Sequence, residues 1–392
     1  MSAVTKVDLY TREMSIDPYP VLAQIRQQAR AVWHDTYQLW LVVGYEDVMA
    51  ICRDDVNFTA EDGIVAHNFG PHSMLARDGT DHRKIRGVWN RQFLGQMLAN
   101  RGPLVDRISD KLLAPLIARL NTGETVDFAP AARALPVEVV AELFGIPDEF
   151  RPSFARWSDE ITEMTGFALP PDHPVEIRRV AAQREVADLF RAEVAKRRTK
   201  MQDDLIGDMV ASGIEKDFGA EALVDNCRLL LVAGNETTTK FIGNSIVTLH
   251  RFPKAQAEIR ADKSLLPQAL EEVLRYDGVV HTGFRRAKSQ DAHVGDVKIP
   301  VGDQIWLQFG GANRDPARFQ NPDTFDIRRK STPHIAFGSG PHTCLGLNLA
   351  RMEGASFIGR FFDQVPAYEV AEVDYELSFP LRGPHKLMIR KK

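Results

Sequence analysis

The chain has 392 residues, of which 44% are hydrophobic and 26% charged, so it can bury a large core as a globular protein. A formal net charge of −4 argues against nucleic acid as a default partner. Its three cysteines, Cys52, Cys227 and Cys344, are odd in number and far apart. They form no disulfide framework and no zinc spacing, which points to a reducing, cytoplasmic compartment. No apolar run long enough for a signal peptide or a membrane span is expected.

Taken in chain order, helical periodicity dominates. A short strand is expected at Gln38–Val43, and apolar residues three and four apart predict helices over 104–120, 133–144, 175–197, 221–250, 254–261 and 265–276. Further strands are expected at Ala292–Ile299 and Gln304–Gln308, separated by a turn at Ile299–Asp303. The run Leu345–Glu353 reads as a helix that follows a Gly-rich loop. Pro and Gly gather at 63–79, 167–174 and 310–341; long irregular loops in a compact enzyme are commonly functional. No linker or repeat divides the chain. The expectation is one domain, 1–392, mainly α with a minor β portion.

Four motifs carry chemistry. The first is Phe337-Gly338-Ser339-Gly340-Pro341-His342-Thr343-Cys344-Leu345-Gly346. Its glycines allow tight backbone conformations, and a helix N-terminus after Cys344 would favour a thiolate that can hold a metal. A buried free cysteine after a turn is the plain alternative for such a residue. The second is Ala233-Gly234-Asn235-Glu236-Thr237-Thr238, inside the longest apolar helix. Ala233 and Thr237 share a face. A mid-helix glycine costs roughly 1 kcal/mol, and a threonine can bond the carbonyl four residues back. Together they suggest a distorted turn with a small polar notch, against the plainer reading of a polar stripe on a core helix. The third is Glu272-Val273-Leu274-Arg275, an acid and an arginine that can pair, although most such pairs lie on solvated surfaces. The fourth is His82 and Arg86, four apart in Asp78–Arg86, able to reach anions from one helix face.

These motifs, in this order across 78–346, resemble those of the cytochrome P-450 family. The resemblance implies that family's fold, with haem b (iron protoporphyrin IX) between the long oxygen-activation helix and the helix after the cysteine loop. Cys344 would be the axial ligand of haem iron, with Phe337 and Gly338 in its loop and Ala233 against the haem. Thr237 and Glu236 would deliver protons during oxygen activation. His82, Arg86, Arg285 and His342 would hold the haem propionates, while Arg286 is read as a surface charge. Glu272 and Arg275 would be a structural pair. The family often completes that pair with an arginine in Pro-x-Arg-Phe; here Pro322-Asp323-Thr324-Phe325 has threonine, so Arg328 and Arg314 are the candidates.

By position, the substrate would be lined by Phe69, Phe167, Leu229, Val232, Val280, His281, Phe284 and Phe379, with His281 a polar handle. That set suits a small, largely apolar substrate, aromatic ones included, though core packing explains the same residues. The resemblance implies a monomeric monooxygenase that hydroxylates or dealkylates with O2. No room is expected for a fused reductase, so electrons would come from a ferredoxin and an NAD(P)H-dependent ferredoxin reductase, docking near Arg83, Lys84 and Arg91. Within enzymes, a peroxygenase or a haem-thiolate isomerase or reductase is the rival, and such enzymes often lose the acid–threonine pair. Outside enzymes, a haem-binding sensor or carrier is the rival.

Overall fold

The structure, a computed structural model, describes residues 3–61, 64–163, 169–330 and 333–392. It is mainly helical with small sheets, and its contacts group into two compact units. One comprises 60–108 and 133–236; the other comprises 1–59, 109–132 and 237–392.

The first unit carries α1 (Gly79–Asn90) and α2 (Pro174–Thr199). Trp89 on α1 is fully buried and donates its indole N–H to Leu205 O at 2.9 Å. Phe144 and Phe190 pack 5.1 Å apart between ring centres, joining the helix Ala129–Phe144 to α2. Charges inside this unit are paired. Arg197, 1% exposed, binds Glu193 and Asp204 and also donates to the carbonyls of Phe144 and Gly145. Pairing of that kind is what keeps a guanidinium in such a place.

The helix α3 (Ala220–Arg251) runs through 32 residues without interruption. The notch expected at Gly234 therefore does not come from a broken turn. Gly234 instead meets a spatial demand, since a Cβ there would lie 3.0 Å from Val140 Cγ2.

The second unit is built on a six-stranded mixed sheet. Its strand order is Val4–Thr5, Val32–His34, Leu39–Val42, Gln304–Gln308, Thr282–Ala287, Phe58–Thr59. The strand expected at Gln304–Gln308 occurs with those bounds, and Leu39–Val42 lies inside the expected Gln38–Val43. The expected strand Ala292–Ile299 is instead a hairpin, His293–Val294 against Val297–Lys298. Gly295 turns it with φ +63°, a conformation that a side chain would disfavour. Tyr368–Tyr375 and Pro384–Lys391 form a long antiparallel pair, joined at its edge by Val126–Asp127. The helices α4 (Leu266–Tyr276) and α5 (Leu347–Gln364) complete the unit. Phe357 and Phe361 of α5 meet Phe128 edge-on at 5.8 and 5.2 Å.

Candidate active site

Phe337–Cys344 closes on itself. Cys344 N–H donates to Phe337 O at 2.9 Å, and Thr343 N–H donates to Gly340 O at 3.1 Å. Gly338 and Gly340 both have φ +70°. At Gly340 a Cβ would come within 2.4 Å of Cys52 O, so only glycine lets the two backbones approach. The helix expected from Leu345 begins at Leu347 and reaches Gln364, with Gly346 as its N-cap. Cys344 thus lies two residues before the cap, and its thiol is half-buried. Residues 340–348 form an unbroken half-exposed strip that includes the apolar Leu345 and Leu347.

This strip fits a flat apolar group held by one sulfur. Among the described residues, no group of three or more His, Cys, Asp or Glu could hold a metal ion. Haem iron needs only one protein ligand.

Two neighbouring acids on α4 organise the approach to the loop, one through the segment 313–329 and one through Arg351. Glu272 receives Arg275 Nε and Nη2, both at 2.8 Å, as a bidentate pair that is nearly fully buried. Arg275 also donates to the carbonyls of Asn313, Pro322 and Thr324. The residue that completes the network is Arg329, whose Nε lies 3.1 Å from Glu272 Oε1 and whose guanidinium also binds the carbonyls of Gln320, Asn321 and Thr324. Neither expected candidate does this. Arg328 pairs with Glu258 at the surface, and Arg314 lies between the rings of Tyr19 and Tyr276 at 3.6 and 3.7 Å. The backbone turns at Asp326, so adjacent arginines point apart.

Glu271 does a parallel job. It accepts Arg351 of α5 at 2.6 and 2.7 Å and lies 3.1 Å from His334 Nε2. Burial raises its pKa, but the His334 and Arg351 hydrogen bonds outweigh that and hold it at about 2. Arg351 in turn stacks on Phe337, 4.8 Å from the ring centre. Glu271, His334, Arg351 and Arg329 were not singled out from sequence; charge spacing cannot separate them from ordinary surface residues.

On α3, every described residue from Ala222 to Leu249 is buried except Leu230, Ala233, Gly234 and Thr237. Their spacing of three, four and seven places them on one face. The notch is therefore an open stripe on an intact helix, and Thr237 contributes to it. Glu236 is 6% exposed and lies off that stripe. Asn235 Nδ2 is 3.2 Å from Ser158 Oγ in the first unit.

The remaining sequence-predicted residues divide. In the first unit His82 is 2% exposed on α1 and Arg86 is half-buried one turn on. Phe69 is half-buried, while Leu229 and Val232 point into the core and Leu230 takes the open position between them. Phe167 lies outside the described residues. In the second unit Arg285 and His342 are half-exposed, and Arg285 Nη1 donates to Phe284 O at 2.7 Å. Phe284 is half-buried against Trp306, and Val280 is half-buried. His281 is fully buried with Nε2 3.1 Å from Gly278 O, and burial pushes its pKa down to about 3. It is a neutral core residue rather than a polar handle. Phe379 is 2% exposed beside Trp306 and His281. Of the expected docking cations, Lys84 pairs with Asp217, Arg91 pairs with Asp208 and Arg83 reaches Thr80 Oγ1. Two of the three charges are thus matched inside their own unit.

The "Cytochrome P450" family model matches residues 23–364. The chain belongs to the cytochrome P450 family. Cytochrome P450 107B1 of Saccharopolyspora erythraea is 34% identical over 372 residues, covering 90% of this chain and 89% of that one. The 6-deoxyerythronolide B hydroxylase of the same organism is 30% identical over 414 residues, covering 98% and 99%. Among solved structures, CYP109E1 from Bacillus megaterium, in complex with testosterone, aligns with a TM-score of 0.88 at 29% identity, over 97% of this chain and 100% of that one. This P450 is a haem-thiolate monooxygenase of bacterial type. No helix among its described residues is long and apolar enough to cross a membrane.

Proposed function

We propose that this P450 hydroxylates, or O- or N-dealkylates, a small, largely apolar substrate, aromatic ones included, with Cys344 as the axial ligand of haem iron. The observation that carries the reading is the half-exposed Cys344 thiol, fixed by Gly338 and Gly340 ahead of α5 and braced through Arg351 and Glu271. When bound, the haem supplies the redox centre at which O2 is reduced and a substrate carbon is oxidised. The loop's role is to hold the sulfur as a thiolate close to backbone N–H groups, which favour its charge. Thr237, on the open stripe of α3, places a hydroxyl that can donate and accept a proton; Glu236, one residue before it, would pass protons to that position. His82 and Arg86, with Arg285 and His342, would receive the propionates through charge-assisted bonds.

In the first unit the open α3 positions Leu230 and Ala233 and the half-buried Phe69 are apolar, and in the second unit so are the half-buried Val280 and Phe284, which supports an apolar substrate. The relatives named for a hydroxylase and for a testosterone complex support the same choice. In this reading one P450 domain, 1–392, works as a cytoplasmic monomer. It draws single electrons from a ferredoxin and an NAD(P)H-dependent ferredoxin reductase.

Cys344→Ser tests the ligand. The variant should lose the red-shifted ferrous–CO spectrum of thiolate-ligated haem, and an unchanged spectrum removes Cys344 from the role. Substrate-dependent NAD(P)H consumption with matching product, using a compatible ferredoxin, tests the reaction.

A further inference from the structure

Beyond Thr237, α3 is buried on every side through Leu249, yet it holds a lysine there. Lys240 is 3% exposed, and its Nζ donates to Glu376 Oε2 at 2.7 Å. A buried ammonium persists only with such partners. Glu376 opens the connection 376–383 between the two C-terminal strands.

That connection lies along α3. At Gly383 a Cβ would come within 2.4 Å of Lys240 Cβ, so the glycine seats against the lysine stem. At Gly243 a Cβ would come within 2.7 Å of Pro384 Cγ, and Asn244 Nδ2 donates to Arg382 O at 3.1 Å. On its other side the connection is stitched to 279–281. His281 N–H donates to Pro380 O and Arg382 N–H to Val279 O, each at 2.8 Å, with a β-bridge between Val280 and Leu381. Pro380 and Phe379 are buried beneath; Val280 and Leu381 stay half-exposed, a paired apolar wall.

We propose that Lys240 and Glu376 are specificity-determining positioning residues: their pair sets where the Val280–Leu381 wall stands along α3, and so the bulk of substrate the enzyme accepts. The inference rests on the reading of Cys344 and Thr237 given above. The pair restrains the near end of the connection; at its far end buried Arg382 pairs with Asp277 and donates to the carbonyls of Ser15 and Ile16. The ladder Tyr368–Tyr375 with Pro384–Lys391, and Tyr368 O–H on Ile246 O at 2.8 Å, hold the strands without it. Glu376 also has a side chain 36% exposed, so the near end of the connection can swing into water once released.

The test uses wild-type holoenzyme, Glu376→Gln, and Lys240→Met, which keeps the stem packed on Gly383. Two quantities are measured: amide hydrogen exchange across 377–382, and the ratio of affinities for imidazole and a bulkier phenylimidazole. Both variants should keep the ferrous–CO spectrum. Exchange should rise by about tenfold, and the affinity ratio should shift by roughly three- to tenfold towards the bulkier ligand. Wild-type exchange with a wild-type ratio in Glu376→Gln, the milder change, overturns the proposal. So does a lower melting temperature with an unchanged ratio, which marks a purely structural pair. A wild-type protein without a thiolate-type CO spectrum would instead overturn the assignment of Cys344, while the exchange measurement still decides whether the pair restrains the connection.

Discussion

Glu353 shows what one buried group does to the pH response. It lies on α5, 2% exposed, hydrogen-bonded to Thr238, and its Oε1 is buried with no hydrogen-bond partner. Burial pushes its carboxyl from 4.5 up to about 8, so the folded state holds the proton that the unfolded chain releases. Its contribution is fully present below about pH 4.5 and fades as pH rises towards about 8, where ionisation costs on the order of a few kcal/mol. Calorimetry from pH 6 to 9 should show the wild-type melting temperature falling more steeply than that of Glu353→Gln, which cannot ionise. Parallel curves would refute a neutral Glu353. At the same scale, the role proposed for Thr237 rests on its hydroxyl. Thr237→Ala should bind substrate as before while NAD(P)H is diverted into peroxide; normal coupling would remove Thr237 from proton handling. Thr237 was legible because its motif is contiguous. Glu353 was not, since its raised pKa comes from burial, which only the packing of α5 in the folded chain supplies.

At the scale of elements, α4 organises the approach to the cysteine loop, and its two adjacent acids hold different pieces. Glu272 gathers 313–329 through Arg275 and Arg329, and Glu271 gathers α5 through Arg351. Arg329→Ala should lower stability by about 1–3 kcal/mol, since it strips one oxygen of the buried Glu272 of its donor. Haem should also leave faster on dilution. Arg328→Ala, which breaks only an exposed pair, should cost less than about 1 kcal/mol. Comparing the two by urea unfolding and haem transfer to an apo-acceptor decides which arginine completes the network. Periodicity had located most of these elements. The helices expected at 104–120, 175–197, 221–250, 254–261 and 265–276 occur as Gly102–Asn121, Pro174–Thr199, Ala220–Arg251, Pro253–Ala261 and Leu266–Tyr276. The strand Tyr368–Tyr375 was missed because its charged, half-exposed sequence has no apolar run; its ladder with Pro384–Lys391 makes it a strand.

For the whole molecule, the family match from 23 to 364 takes in residues of both compact units, and the haem-thiolate chemistry belongs to that full length. Because haem binds the native state, loading it should stabilise the protein by RT ln(1 + [L]/Kd), about 4 kcal/mol when free haem is a thousandfold above Kd. Apoprotein should therefore unfold at a lower temperature than holoprotein in the same buffer. Identical melting would show that the cysteine loop and its braces are equally stable empty, contrary to a cofactor-linked fold.

The sequence by itself determined the family and the mainly helical architecture, because both rest on contiguous spacing that local stereochemistry converts directly into turns and helix faces. The tertiary structure alone decided which arginine joins Glu272, that His281 and Phe379 are core, that Leu230 rather than Leu229 is open, and that Lys240 pairs with Glu376. Those outcomes depend on burial and on partners far apart in the chain. Desolvation and pairing act only once the chain has folded, so no local pattern encodes them.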